Sequence, residues 1–318
     1  MYSYDELLKI ERGSFMAKRA KLVTVYLFGG LGNQLFQYFA GLAAAEAMGA
    51  ELYLKPFGQT SAVGREGELG IAAFNTEGIL ISSKIPRRLQ EKLLRRFVTL
   101  IDKFRLGKFS RHFGIFLADV SKLLEMKIGG PRHVRLMGYF QDYKFLDFLE
   151  RKEKVTALSL VNPSPWFVNL QEKARISKPI IVHIRRGDYL NHAETIGVLD
   201  FAYFKNALDA IPRNENSEFW IFSDSLTVAK DFAHFATLPD LRTSIIQAPS
   251  DSPDAESMLL MTLGSALVIS NSTFSWWGAY LNKNADFIIA PKKWFKNLDD
   301  PANLIPRNWI YCESVWQL

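Results

Sequence analysis

The sequence predicts an α/β protein whose parallel sheets are doubly wound with helices. Short apolar runs alternate with helical patterns along most of the chain, which is typical of this fold class. Glycines, arginines or hydroxyl residues follow several of these runs, and ligands of open α/β sheets bind beyond the carboxyl ends of strands. The length of 318 residues exceeds one ordinary core and therefore suits two domains.

The first half of the chain predicts one sheet with a single clear helix. Strands are expected at 23–28, 51–54 and 134–137, with a helix at 35–48. Residues 1–20 hold no apolar core, so they are not a signal peptide and are expected to be a disordered extension, with translation starting at Met1 or Met16. We place the first domain at 1–155.

The second half shows a cleaner alternation, which predicts a Rossmann-type domain at 156–318. Its predicted strands lie at 180–184, 219–222, 243–246, 267–269 and 287–290. The helices between them are expected near 201–211, 226–236, 255–264 and 276–283. The boundary falls where a charged run at 150–154 meets Asn162-Pro-Ser-Pro165.

Composition narrows the class of protein and its compartment. Apolar residues make up 48% and charged residues 23%, so the chain can bury a sizeable interior and is not disordered as a whole. The single cysteine, Cys312, excludes a disulfide framework and a cysteine-based zinc site. A reducing cytoplasm is the expected compartment.

The positive charge is concentrated in residues 84–111. This segment holds ten basic and two acidic residues, whereas the whole chain has a net charge of +6. Apolar residues recur in it at three- and four-residue spacing, which predicts an amphipathic basic helix. A solvated helix face is one interpretation, and docking to an anionic membrane surface or an acidic partner is the other. Nucleic acid is not expected as a partner, since no binding motif accompanies the patch.

A glycine-rich turn follows the first predicted strand. Gly29, Gly30 and Gly32 let backbone N–H groups approach an anion at a helix N-terminus. The dinucleotide fingerprint needs a further glycine at position 35, which is leucine, so an NAD-dependent oxidoreductase is kept only as an alternative. Asn33 and Gln34 beside the turn indicate polar contacts in a cleft.

A basic motif, His183-Ile-Arg-Arg-Gly-Asp-Tyr189, ends the strand predicted at 180–184. The adjacent Arg185 and Arg186 are poor core residues, and phosphate is the ligand that matches them best. A surface salt-bridge cluster is the alternative. Asp188 either orients an arginine or acts as a base. His183 alternates with Arg185 on one strand face, which favours binding over a core role.

Two further polar motifs end predicted strands. Asp224, in Ser223-Asp-Ser225, can cap the next helix or accept the N1 and N2 hydrogens of guanine. Asn271 and three hydroxyl residues lead into a helix expected to begin near Ser275, which forms an anion site. No Asp-x-Asp occurs, so the arginines and this helix are predicted to neutralise a nucleotide diphosphate without a metal.

Together these motifs resemble the α-1,2-fucosyltransferase family, glycosyltransferase family 11. Besides the glycine turn and the arginine motif, the matching segments are Gly138-Tyr-Phe-Gln141, Phe222-Ser-Asp-Ser225, Asn271-Ser-Thr-Phe-Ser-Trp-Trp-Gly278, Ala290-Pro-Lys-Lys-Trp294 and Pro306-x-x-Trp309. The resemblance implies a GT-B-type architecture, in which two Rossmann-like domains face each other across a cleft and the second domain binds GDP-fucose.

The resemblance also implies a reaction. It is an inverting, metal-independent transfer of fucose from GDP-β-L-fucose to the 2-hydroxyl of a terminal galactose, with no cofactor beyond the donor substrate. The glycan beneath the galactose is left open, because residues 55–130 contain none of the motifs that carry the resemblance and Ile196 stands where relatives often carry a histidine. A non-enzymatic carbohydrate- or membrane-binding module is the remaining alternative. For a lipid-linked acceptor, the enzyme would lie on the inner face of the membrane.

The family roles fall on residues of the arginine motif and its neighbours. Arg185 would bind the β-phosphate and stabilise the GDP leaving group, and Arg186 would support that charge or anchor the motif. Asp188 is the candidate general base. His183 and Asp224 would lie near the guanine and the ribose.

Two larger sets complete the implied site. The diphosphate cradle would consist of Asn271, Ser272, Thr273, Phe274 and Ser275. The residues facing the sugar and the acceptor from the first domain would be Gly30, Gly32, Asn33, Gln34, Tyr139 and Gln141.

Overall fold

The computed structural model describes most of the chain and divides it into two units, Met1–Ser159 and Leu160–Leu318. The described residues are 21–57, 61–62, 65–66, 69–80, 115–117, 132–149, 153–239 and 242–317. Each unit contains its own parallel sheet, which confirms the predicted fold class.

Two expectations fall on residues that the structure does not describe. The extension at 1–20 and the basic segment at 84–111 both lie outside the described ranges. Within those ranges, no helix has the length and apolar character that a membrane span requires.

The first unit contains a five-stranded parallel sheet with β1 at its centre. The strands, in chain order, are β1 (Lys21–Leu27), β2 (Ala50–Pro56), the hairpin β3 (Ser61–Ala62) and β4 (Arg65–Glu66), β5 (Ile79–Leu80), β6 (Ile115–Leu117) and β7 (His133–Met137). The sheet order is β5-β2-β1-β7-β6, and the hairpin stands apart from it. Because β1 and β7 are parallel neighbours, their carboxyl ends meet at one edge.

Helix α1 (Leu31–Met48) packs against this sheet and is buried along most of its length. It begins four residues earlier than predicted, because the Gln34 N–H already donates to the Gly30 carbonyl at 3.1 Å. A Cβ at Gly41 would overlap the Val25 side chain, so the glycine allows α1 to approach β1 closely. The other helical segments are the 3₁₀ turns Gly70–Ala73 and Tyr143–Phe148, and α2 (Glu153–Thr156).

The second unit contains a six-stranded parallel sheet. The strands are β8 (Ile180–Ile184), β9 (Phe219–Ser223), β10 (Thr243–Ile246), β11 (Ala266–Val268), β12 (Phe287–Pro291) and β13 (Ile310–Cys312). Their order is β10-β9-β8-β11-β12-β13. Strands β9 and β10 extend the sheet on one side of β8, and the chain then returns to add β11, β12 and β13 on the other side. The topological switch point, where ligands bind in open α/β sheets, therefore lies between β8 and β11.

The helices of the second unit follow the predicted pattern. They are α3 (Pro165–Ser177), α4 (Phe201–Asp209), α5 (Leu226–Phe235), α6 (Asp254–Met261) and α7 (Thr273–Tyr280), with a 3₁₀ turn at Gly187–His192. Helix α7 begins two to three residues before the starts predicted near 275 and 276, because the Ser272 hydroxyl accepts a hydrogen bond from the Phe274 N–H and caps the helix there.

The core of the second unit determines which face of β8 is available for chemistry. Val182 and Ile184 are fully buried in a cluster to which helices α4 and α5 contribute Phe204 and Phe232. Burial of each such side chain stabilises the fold by roughly 1.5–3 kcal/mol. Because successive side chains of a strand point to opposite faces, His183 lies on the other face of the sheet.

Candidate active site

Both candidate anion-binding motifs of the second unit lie at the switch point. The arginine motif directly follows β8, and the hydroxyl-rich loop 270–275 directly follows β11, its parallel neighbour. A third segment, Ser223-Asp-Ser225, ends β9 on the other side of β8. The sheet thus brings together three motifs that are far apart in the sequence.

Arg185 is held by two carboxylates from two of these motifs. Its Nη2 lies 2.7 Å from Asp188 Oδ1, and its Nη1 lies 3.3 Å from Asp224 Oδ2. The guanidinium carbon also lies 5.7 Å from the centre of the Tyr189 ring. One third of the side chain is exposed, so the cation is oriented but remains accessible to a ligand.

Arg185 stays positively charged in this site. Burial alone would lower its pKa, but the carboxylates of Asp224 and Asp188 outweigh burial and raise the pKa above the ordinary arginine value. The site therefore offers a permanent, planar cation with donors suited to phosphate oxygens.

Asp188 lies in the orienting position that the sequence left open. Its carboxylate accepts a hydrogen bond from Arg185 and is 63% exposed. Its nearest charged partner is therefore the guanidinium that it holds in place. The geometry therefore favours orientation of Arg185 over the role of general base.

Gly187 makes the contact between the arginine turn and Asp224 possible. A Cβ at this position would lie 2.5 Å from Asp224 Oδ2, which is closer than atoms approach without bonding. Asp224 Oδ1 also accepts a hydrogen bond from the Arg186 N–H at 3.1 Å. Asp224 does not cap the following helix, because the Ser225 hydroxyl has that role toward the Val228 N–H.

Arg186 binds different partners from Arg185, so the structure does not place the two guanidinium groups on one ligand. The Arg186 side chain is buried, donates to the Gln317 side-chain carbonyl and lies 4.8 Å from the centre of the Phe201 ring. Burial lowers the pKa of Arg186, and Asp200 opposes this only in part. Of the two roles that the sequence left open for Arg186, this geometry favours the anchor.

His183 is a buried link between the arginine motif and the loop after β11. Its Nδ1 lies 2.9 Å from the Ser270 hydroxyl, and its ring packs 5.6 Å from the Phe274 ring. Burial, followed by the charge of Arg185, lowers its pKa to about 3, so the ring is neutral. With 5% of its surface exposed, His183 has little area for the guanine or ribose contact predicted for it.

Several hydroxyls of the predicted diphosphate cradle bond within the fold. Ser272 caps α7, and the Ser275 hydroxyl donates to the Ser272 carbonyl at 3.2 Å. Both side chains are buried, whereas Thr273 and Phe274 are partly exposed at the start of the helix. The geometry therefore leaves fewer groups for the diphosphate than predicted. They are the N-terminus of α7, where the helix dipole is positive, and Thr273 beside it.

Asn271 and Tyr189 tie the motifs together, and sequence reasoning gave Tyr189 no role. The buried Asn271 amide donates to the carbonyls of Gly197 and Trp294 at 3.2 and 3.1 Å. The Tyr189 hydroxyl donates to the Asn271 carbonyl at 3.0 Å, and burial raises the Tyr189 pKa to about 12. Asn271 thus stabilises the loop through these hydrogen bonds rather than contacting a ligand.

In the first unit, Gln34 holds the glycine turn together. Gln34 is fully buried; its Nε2 donates to the Gly29 carbonyl at 2.8 Å, and its Oε1 accepts from the Ile71 N–H at 3.1 Å. The expectation that Gln34 faces an acceptor disagrees with this geometry, because both ends of its amide bond within the unit. Gly32 is likewise buried inside α1, whereas Gly30 is partly exposed at its N-terminus.

The remaining acceptor-side residues lie at the shared edge of β1 and β7. The Gln141 Nε2 donates to the Asn33 Oδ1 at 3.0 Å. Tyr139 is 51% exposed, and its ring meets the Phe28 ring edge-on at 5.2 Å. These three side chains are accessible, and Asn33 and Gln141 contact each other.

No group of three or more potential metal ligands (His, Cys, Asp or Glu) occurs among the residues that the structure describes.

Known proteins resemble the chain over most of its length. An α-1,2-colitosyltransferase of Escherichia coli is 30% identical over 312 residues, covering 92% of this chain and 99% of that protein. The O-antigen biosynthesis glycosyltransferase WbnK of Escherichia coli is 29% identical and covers 89% of this chain and 98% of that protein. A galactoside 2-alpha-L-fucosyltransferase of Caenorhabditis elegans is 24% identical, covering 83% of this chain and 70% of that protein.

A solved structure confirms the fold. The crystal structure of NodZ α-1,6-fucosyltransferase soaked with GDP-fucose matches with a TM-score of 0.54 at 14% identity. The match covers 89% of this chain and 100% of that one, and it identifies the architecture as GT-B-type. The oxidoreductase and the non-enzymatic module, which were the alternatives from sequence, are not supported. The family model for glycosyl transferase family 11 matches residues 138–313, more than half of the chain, so the chain belongs to this α-1,2-fucosyltransferase family and is a glycosyltransferase.

Proposed function

We propose that the chain transfers fucose from GDP-β-L-fucose to the 2-hydroxyl of a terminal galactose, with inversion and without a metal ion. The observation that carries the proposal is the orientation of Arg185 by Asp188 and Asp224 at the switch point. The names of two relatives, an α-1,2-colitosyltransferase and a galactoside 2-alpha-L-fucosyltransferase, support the donor class and the linkage.

The chemistry follows from where charge develops. The bond between fucose C1 and the β-phosphate oxygen breaks, and its electron pair leaves with GDP. The galactose 2-hydroxyl attacks C1 from the opposite face, forms the new glycosidic bond and releases a proton. Arg185 and the N-terminus of α7 would stabilise the growing negative charge on the diphosphate, as a bound metal ion does in metal-dependent enzymes.

Within this reaction the other residues position Arg185. Asp188 and Asp224 fix the plane of its guanidinium before the donor binds, so little reorganisation is needed as the bond breaks. Arg186 anchors the same turn through Gln317. The general base is left open, because Asp188 is bonded to Arg185.

GDP-colitose is a second candidate donor. The relative with 30% identity is named for colitose, which is fucose without the hydroxyl at carbon 3. The same charge stabilisation at the diphosphate would serve both donors. Only a contact to the 3-hydroxyl would separate them.

A donor screen tests the proposal. The purified chain is incubated with GDP-fucose, GDP-colitose, GDP-mannose, UDP-galactose or NAD, with lactose as acceptor. We expect a fucosylated product whose NMR spectrum shows an α-1,2 linkage, at the same rate in excess EDTA. Preference for GDP-colitose would move the proposal to the second donor. Loss of activity in EDTA with recovery on Mn²⁺ or Mg²⁺ would overturn metal independence.

A further inference from the structure

A short backbone pairing fixes the position of Gln317 relative to the arginine motif. Leu199 and Trp316 form an antiparallel bridge, and the Gln317 N–H donates to the Val198 carbonyl at 2.8 Å. A Cβ at Gly197 would lie 2.6 Å from two atoms of the Trp316 ring, so the glycine allows this ring to lie against the backbone. Gln317 is therefore held on the stretch of chain that leads from the arginine motif to α4.

The side chain of Gln317 supplies the hydrogen-bond acceptor for a buried cation. Its carbonyl oxygen accepts from Nη1 of Arg186, and only 9% of the Arg186 surface is exposed. Within the part of the chain that the structure describes, Arg186 forms no ion pair, and its Nε has no hydrogen-bond partner. Removal of the Gln317 amide would leave a nearly buried guanidinium with even fewer acceptors, which disfavours its present position.

One carboxylate couples Arg186 to Arg185. Asp224 Oδ1 accepts a hydrogen bond from the Arg186 N–H at 3.1 Å, and Asp224 Oδ2 lies 3.3 Å from Nη1 of Arg185. The two arginines are also adjacent in the chain. A displacement of Arg186 therefore changes the contact that orients the guanidinium of Arg185, and a misplacement of about 1 Å at a reacting site is enough to slow a reaction strongly.

The partner of Arg186 is neutral, so the charge of this arginine is not cancelled. Arg185 contacts the carboxylates of Asp188 and Asp224, and these three groups together carry a net negative charge. The charge of Arg186 brings the motif to neutrality. A carboxylate in place of the Gln317 amide would make the motif negative, and solvent screens charges that are nearly buried less than it screens exposed ones.

We propose that Gln317 is a positioning residue for the transfer reaction. Its amide holds Arg186, and through Asp224 the orientation of Arg185, while it leaves the charge of Arg186 available to attract the diphosphate of the donor. Gln317 lies beyond the family match, which ends at residue 313, and none of the sequence motifs includes it. The inference rests on the proposed function, because it takes GDP-fucose as the donor.

Two substitutions of Gln317 separate positioning from a purely structural role. Gln317→Ala removes the acceptor, and we expect kcat to fall about tenfold with the KM for lactose unchanged. Gln317→Glu keeps an acceptor that binds a guanidinium more strongly than an amide does, so a residue that only stabilises the turn would be fully replaced by it. We expect Gln317→Glu instead to weaken the binding of GDP about tenfold, because the added negative charge repels the diphosphate.

Calorimetric titration with GDP measures this affinity without any transfer, and circular dichroism confirms folding. Gln171→Ala is the matched control, because Gln171 lies on α3 away from the arginine motif in the sequence, and it should equal the wild type. A folded Gln317→Ala variant with wild-type kcat, or Gln317→Glu with wild-type affinity for GDP, overturns the inference and leaves the proposed function standing.

The same titration distinguishes a failure of the proposed function. If the wild type binds GDP but transfers no fucose from GDP-fucose, the proposed function is wrong, and the affinity of Gln317→Glu for GDP still decides the inference. If the wild type does not bind GDP, the proposed donor and the role of Gln317 are both wrong.

Discussion

Replacing Arg185 by lysine keeps the positive charge of the site but removes the planar fork that carries it. In the structure the guanidinium divides its donors between Asp188 Oδ1 at 2.7 Å and Asp224 Oδ2 at 3.3 Å, and this fixes its orientation. An ammonium group is a single point charge that cannot bridge both carboxylates and a phosphate in one plane. The variant therefore loses a preorganised donor.

The expected loss follows from the exposure of the side chain. Removal of a preorganised donor to a developing oxyanion costs roughly 3–4 kcal/mol of transition-state stabilisation. Because one third of the Arg185 side chain is exposed, we expect the lower end, about 3 kcal/mol. This corresponds to a fall in kcat of about 150-fold.

Steady-state kinetics with GDP-fucose varied measure this loss, and circular dichroism confirms folding. Arg175→Lys is a suitable control, because Arg175 lies on α3 with 59% of its side chain exposed. A fall in kcat with little change in KM would show that the contact acts mainly in the transition state. A folded Arg185→Lys variant with wild-type kcat and KM would refute the assignment of the leaving-group role to Arg185.

Three further predictions follow from the same geometry and from the sequence. Gly187→Ala should leave the fold intact but displace the Asp224 carboxylate from Arg185, so kcat should fall about tenfold or more; kinetics equal to the wild type would contradict this. Burial lowers the pKa of His183 to about 3, against an ordinary value of 6.5. As the pH falls below about 6.5, His183 therefore binds a proton in the unfolded chain but stays neutral in the folded chain. The free energy of unfolding in urea should therefore decrease by about 1.4 kcal/mol between about pH 7.5 and about pH 5.5 on account of this residue, and a His183→Asn variant with the same decrease would count against it. Liposome flotation should recover the chain better with anionic than with neutral vesicles at low salt, owing to the ten basic residues of 84–111; equal recovery would leave only a solvated surface.

The strands that carry the site could be predicted from sequence because their signals are local. The run at 180–184 is apolar and is bounded by polar residues, and it coincides with β8. The short strands β5 and β13 were not predicted, because their two and three residues are too few to show a period. The start of α7 was missed because Thr273 and Phe274 are ordinary loop residues until Ser272 caps them.

The roles of individual polar side chains depended on partners that are distant in the sequence. Arg186 bonds to Gln317, 131 residues away, and no local feature of either residue indicates this pair. Gln34 bonds to the Ile71 N–H, so a glutamine that seemed suited to a cleft is a buried support of the turn. Chemical type was readable from the sequence, whereas the direction of each side chain was not.

The sheet order of the second unit has a consequence for how the chain folds during synthesis. Strand β8, which is buried along its whole length, pairs on one side with β9, the next strand made. Its other neighbour, β11, leaves the ribosome only after β10 and α6. Such pairing between distant segments forms slowly, and an open apolar strand edge can pair with other chains. The strand that precedes Arg185 thus has one unpaired edge until late in translation, and a polypeptide released before β11 would be prone to aggregate along it.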